Sequence, residues 1–113
     1  MTAIQTVIYP VKDLDAAKAV FGALLGAEPV MDAPYYVQYA AGGLEIGLDP
    51  NGHGKGMTGP VCYWRVDDIR ASVARLREAG ATESEPVTDV GGGRLVAVLA
   101  DTNGNPVGLM QTP

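Results

Sequence analysis

Few side chains in this sequence combine the type and spacing that chemistry requires. The only histidine, His53, lies in a run of glycines, and the only cysteine, Cys62, follows soon after it. A lone loop histidine cannot complete a Ser-His-Asp set. Cys62 has neither a basic neighbour in sequence nor a helix start after it to activate the thiol, so it reads as a small apolar residue. A single cysteine also cannot close an intramolecular disulfide or anchor a cysteine-based zinc site, which points to a reducing cytoplasm. Gly52-His-Gly-Lys-Gly56 has the look of a phosphate loop, but Met-Thr-Gly-Pro60 follows where a helix N-terminus would be needed. Asp101-Thr-Asn-Gly-Asn105 starts like a calcium loop, yet Pro106 takes the place of the required glycine and no glutamate follows. It reads as a hairpin turn, as does Gly91-Gly-Gly93.

The elements around these residues come in two similar sets. Residues 4–11 alternate as a half-buried strand. Asp13 then suits an N-cap, with Leu14, Ala17, Phe21, Leu24 and Leu25 forming the inner face of a helix that Gly26 closes. Strand patterns follow at residues 27–31, 35–40 and 43–48. After a Gly- and Pro-rich connector, 49–60, the pattern restarts. Residues 61–66 read as a strand, Asp68 as an N-cap, and Ile69, Val73 and Leu76 as the inner face of a helix ended by Gly80. Residues 82–90, 94–100 and 106–111 complete the set. Val11-Lys-Asp-Leu-Asp-Ala16 lines up with Val66-Asp-Asp-Ile-Arg-Ala71, so an internal duplication is the economical reading. The expected fold is α+β: two tandem βαβββ modules, about 1–48 and about 61–113, in one domain. They form a curved mixed sheet around a cup, with the helices on the outer face.

Composition narrows the partners. A length of 113 residues suits one domain rather than two. The net charge of −5 comes with scattered Lys and Arg, which disfavours nucleic acid. No basic amphipathic helix offers itself to a membrane, no apolar run approaches the roughly 20 residues of a span, and residues 1–9 lack the pattern of a signal peptide.

Val11-Lys-Asp-Leu-Asp-Ala-Ala17 with Leu24-Leu-Gly26, and Val66-Asp-Asp-Ile69 with Asp101-Thr-Asn-Gly-Asn-Pro-Val-Gly-Leu109, together resemble the vicinal oxygen chelate superfamily: the glyoxalases, bleomycin resistance proteins and extradiol dioxygenases. The resemblance covers nearly the whole chain. Catalytic members of that family hold a divalent metal through His or Gln on the first strand of each module and Glu on the last. The matching positions here are Thr6, Val61, Glu45 and Gly108, and only Glu45 has the expected chemistry. The resemblance therefore implies a member without the usual metal ligands, and neither metal nor cofactor is expected.

With Thr6 and Val61 placed in the cup, strand alternation adds Ile8, Tyr63 and Arg65, and turns Cys62 and Trp64 toward the helices. The last strands contribute Gly43, Glu45, Gly47, Pro106, Gly108 and Met110, whose small members should leave room. One of Tyr35, Tyr36 and Tyr39 should face the cup, with Tyr36 taken as the binding residue. Arg65 is the expected partner of Glu45. The ligand-binding set is Thr6, Ile8, Tyr36, Glu45, Tyr63, Arg65, Gly108 and Met110, with Glu45 the one catalytic candidate. These residues suit a metal-free protein that binds a small molecule, in the manner of the antibiotic-binding members. The alternatives are a metal-free lyase or isomerase using Glu45 as general acid or base, a metal-dependent enzyme, and an assembly or regulatory protein with a vestigial cup. Family members of this size usually pair, so a homodimer is expected.

Overall fold

The structure, a computed structural model, describes residues 2–113. Its elements are β1 (Ala3–Pro10), α1 (Leu14–Leu25), β2 (Met31–Ala33), β3 (Tyr36–Ala41), β4 (Leu44–Asp49), β5 (Val61–Arg65), α2 (Ile69–Glu78), β6 (Thr82–Asp89), β7 (Leu95–Ala100) and β8 (Pro106–Gln111). This is βαβββ twice. The chain divides into two compact units, Thr6–Val61 and Cys62–Pro113, the second also taking in the chain up to Gln5.

In the first unit the strand order is β2-β3-β4-β1, with β1 parallel to β4 and the remaining pairs antiparallel. The second unit repeats this as β6-β7-β8-β5, with β5 parallel to β8. A parallel pair needs a long crossover, and in each unit the helix and two intervening strands supply it.

Both helices start as their capping residues dictate. Asp13 accepts from the Ala16 backbone N–H at 3.0 Å and Asp68 from Ala71 at 3.1 Å, each satisfying a donor the first turn leaves orphaned. Gly26 ends α1 in the left-handed region at φ 62°, its N–H donating to Gly22 O. The core of the first unit lies between α1 and the sheet, where Val37, Tyr39 and Leu48 are buried against Leu14, Ala17, Phe21 and Leu25. Tyr9 and Phe21 meet with ring centroids 4.9 Å apart. In the second unit Ile69 and Val73 pack on Ala97, Leu99 and Leu109.

Three sequence expectations change here. Leu24 is not on the inner face of α1: it is 73% exposed, because Leu25 and Phe21 already occupy the stripe that meets the sheet. The second strand is Met31–Ala33 rather than 27–31, since the chain leaving the Gly26 cap runs through Pro29, which has no N–H for a ladder, before pairing begins at Val30 N to Gln38 O. Third, the stretch 49–60 is more than a bare connector. Asp49 is buried, accepts from Lys55 Nζ at 2.9 Å and from Asn51 N at 2.8 Å, and so folds the chain into a 3-10 turn, His53–Lys55. Gly52 fits there because a β-carbon would come within 2.7 Å of Pro10 Cβ. His53 is exposed.

Candidate functional site

Tyr9, Val11, Val37, Tyr39, Ile46 and Leu48 all pack toward α1, so alternation sends Thr6, Ile8, Tyr36, Gln38, Glu45 and Gly47 to the opposite face of the first unit's sheet. On that face Thr6 stands beside Glu45 in register, and Ile8 beside Gly47. Thr6, 2% exposed, donates its hydroxyl to Glu45 Oε1 at 2.6 Å, the length of a strong hydroxyl-to-carboxylate bond. Tyr36 lies over Gly47, where a β-carbon would overlap its hydroxyl, and that hydroxyl donates to Gln38 Oε1 at 3.4 Å.

Of the three tyrosines considered, Tyr36 is therefore the one on this face. Tyr39 is buried under α1 with its hydroxyl donating to Lys18 O, and Tyr35 is exposed. Gln38 and Gly47 complete the patch. Gln38 was missing from the sequence-based set, although two-residue alternation from Tyr36 points straight at it. Gly43 leaves the set, because it sits in the β3–β4 turn at φ 87°.

The second unit offers a different surface. Tyr63, Gly108 and Met110 share the sheet face opposite α2, and all three are buried. Tyr63 pairs with Gly108 and its ring covers it: a β-carbon on Gly108 would lie 2.7 Å from Tyr63 Cδ2. Gly47 and Gly108 thus leave no room, contrary to expectation, because a tyrosine fills the space above each. Arg65 is exposed and donates from Nη1 to Gln5 Oε1 at 3.3 Å, a partner for which the sequence carried no signal. Trp64 turns toward the α2 side as expected but is 37% exposed, and Cys62 is half-buried.

Register also corrects the internal alignment. Val11 N donates to Asp49 O and Val66 N to Met110 O, so Val11 and Val66 are equivalent. Ile8 then corresponds to Tyr63, and their partners Gly47 and Gly108 correspond to each other. The counterpart of Glu45 is Pro106, not Gly108.

These residues do not fit a divalent metal. At the positions the resemblance assigns, the first unit supplies one carboxylate, Glu45, already bonded to a threonine hydroxyl; Asp49, at the end of the same strand, is taken up by Lys55 and Asn51. Val61 and Pro106, which stand where the second βαβββ module's ligands would be, carry no donor, and neither does Gly108. Among the described residues no three His, Cys, Asp or Glu side chains converge.

The Glyoxalase/Bleomycin resistance protein/Dioxygenase superfamily model matches residues 3–109. The chain belongs to this superfamily. No curated protein matches it. Among solved structures, a glyoxalase/bleomycin resistance protein/dioxygenase superfamily member from Vibrio splendidus 12B01 superposes with a TM-score of 0.74 at 16% identity, covering 98% of this chain and 99% of that one. A methylmalonyl-CoA epimerase from Mycobacterium tuberculosis gives 0.66 at 18% identity, with 97% and 87% covered. The Mn(II)-bound glyoxalase from Novosphingobium aromaticivorans gives 0.70 at 22%, with 96% of this chain and 38% of that one covered. At such identities the superfamily fold is what is shared, and the fold hosts several activities.

Proposed function

We propose that this superfamily member binds a small molecule without a metal, holding it against the Thr6–Glu45 face of the first unit. The observation that carries the reading is the 2.6 Å hydrogen bond from Thr6 to Glu45, between adjacent first and last strands where the family resemblance puts a metal-ligand pair. Thr6 does there what a cation would otherwise do: it gives the carboxylate a partner. Half-buried Ile8 and Tyr36 supply an apolar wall, Gln38 and Glu45 polar groups, and such a mixture suits an amphipathic ligand with a hydrogen-bond donor or a cationic head. Thermal-shift titration of metal-stripped protein with aromatic antibiotics and metabolites, with and without zinc, nickel and manganese, tests this. Stabilisation by a compound alone supports the reading; stabilisation only when metal is added overturns it.

A second reading makes Glu45 a general base or acid in a metal-free lyase or isomerase. The presence of epimerases among the structural neighbours favours keeping it. Glu45→Gln should then retain ligand binding and lose turnover.

We further propose a homodimer. Five exposed large apolar residues, Val20, Leu24, Val30, Met31 and Tyr35, fall within one short stretch of the first unit, and the solvent side of α1 is otherwise alanine-rich. Light scattering of the intact chain, and of Leu24→Asp, reads the outcome.

A further inference from the structure

The α2 side of the second unit holds a cleft of about 270 Å³ that takes no part in the face just described. Val66, Leu76, Val107 and Leu109 make an apolar floor, Trp64 stands at one wall, and Thr2, Ser72 and Arg75 line the rest. Among the described residues lining the cleft, Arg75 is the only charged one, and none is a carboxylate. One guanidinium nitrogen, Nη2, donates to buried Ser72 Oγ at 3.2 Å, which fixes the direction of the fork and leaves its other N–H groups available. The Trp64 indole N–H and the Thr2 hydroxyl belong to the same lining.

An apolar floor asks for a hydrocarbon group, and the indole offers a flat wall to stack against. A guanidinium beside an apolar floor asks for an anion. A chain of net charge −5 repels anions in general, so a site for one needs a local cation, which Arg75 provides. The volume lies just below the range of drug-sized pockets, which limits the guest to a single ring or a short branched chain. We propose that the Trp64–Arg75 cleft is a second binding site, for a small carboxylate bearing an aromatic or branched apolar group.

The chain has one tryptophan, so emission excited selectively from Trp64 reports on this cleft alone. The probe is phenylacetate, titrated into the intact protein, with phenethylamine as the charge-reversed control. The expected result is a saturable change with a Kd of about 1 mM or tighter, ordinary for a ligand of this size. Phenethylamine should give none. Arg75→Gln should weaken binding by roughly tenfold, as loss of a charged hydrogen bond does, while Arg75→Lys, which keeps the charge, should weaken it less. Arg77→Gln, on the same helix but outside the cleft, controls for folding. Glu45→Gln should leave this titration as it is, so failure here and failure of the first-unit site are read separately. A response that never saturates, an equal response to phenethylamine, or an Arg75→Gln titration matching the wild type overturns the proposal. So does emission that changes with protein concentration and not with phenylacetate, which would assign the cleft to self-association.

Discussion

Tyr63 and Gly108 face each other across the parallel β5–β8 pair, and the ring of one covers the backbone of the other so closely that a β-carbon would sit 2.7 Å from Cδ2 and 2.8 Å from Cys62 O. Glycine is fixed there by contact, since its backbone needs no unusual φ. Gly108→Ala should therefore destabilise the protein by about 1–3 kcal/mol, the range for overpacking a filled interior. Part of that cost should vanish in a Tyr63→Ala background, where the ring is gone. Urea unfolding of the four variants measures both effects. An alanine as stable as the glycine would mean that the strands part easily here.

The Thr6–Glu45 bond makes a second case, because its donor is almost wholly buried. Thr6→Val keeps the shape and deletes the hydroxyl, leaving a half-buried carboxylate short of one donor. A loss of about 1–3 kcal/mol should follow. Replacing both partners, Thr6→Val with Glu45→Leu, should cost less than the sum of the two single changes, because no polar group is then stranded. The double-mutant cycle gives the coupling directly. Strict additivity would show that the bond contributes nothing.

Gly26 yields a third expectation. It closes α1 at φ 62°, with no heavy atom within 4 Å of where a β-carbon would go, so the only obstacle to a side chain is the backbone conformation. Gly26→Ala should cost about 1 kcal/mol, and Gly26→Asn, which tolerates the left-handed region better, distinctly less. A thermal melt that ranks Ala and Asn the other way round would point to contacts rather than conformation.

The same particulars show what a reader of the sequence could and could not obtain. The repeat was legible because its punctuation is chemical: Asp13 and Asp68 cap helices through a side chain, and Gly26 ends one through a conformation other residues resist. Facing within a strand was legible too, since alternation puts Thr6 with Ile8, and Glu45 with Gly47, once one residue of each strand is placed. Register was not. Sliding the last strand by two residues preserves every inward and outward assignment, so nothing in the pattern separates Gly108 from Pro106 as the counterpart of Glu45. Hydrophobicity likewise could not show that Leu24 lies outside, because α1 is apolar nearly all round. Nor could composition tell a glycine that opens space from Gly47 and Gly108, which lie under tyrosine rings.

The Asp101 hairpin gives the pH dependence. The Asn105 side-chain amide donates to Asp101 Oδ2 at 3.0 Å, and the backbone N–H groups of Asn105 and Asn103 donate to Oδ1 at 2.8 Å. The Asn105 side chain first, and then these backbone donors, hold the Asp101 carboxyl below its ordinary value. A carboxyl whose pKa is lower folded than unfolded adds stability that is present above the unfolded value and is lost as pH falls through the folded one. The turn joining β7 to β8 should loosen in that acid window. Asp101→Asn cannot titrate, so its melting temperature should fall less steeply than the wild type's between about pH 5 and about pH 2. The two should run parallel above that range, where the carboxyl is ionised in both folded and unfolded chains. Because Asp101 is only half-buried, added salt should narrow the difference. Acid limbs that superimpose for the two proteins would show that other carboxylates govern acid unfolding and that this turn keeps its bonds whatever the charge at Asp101.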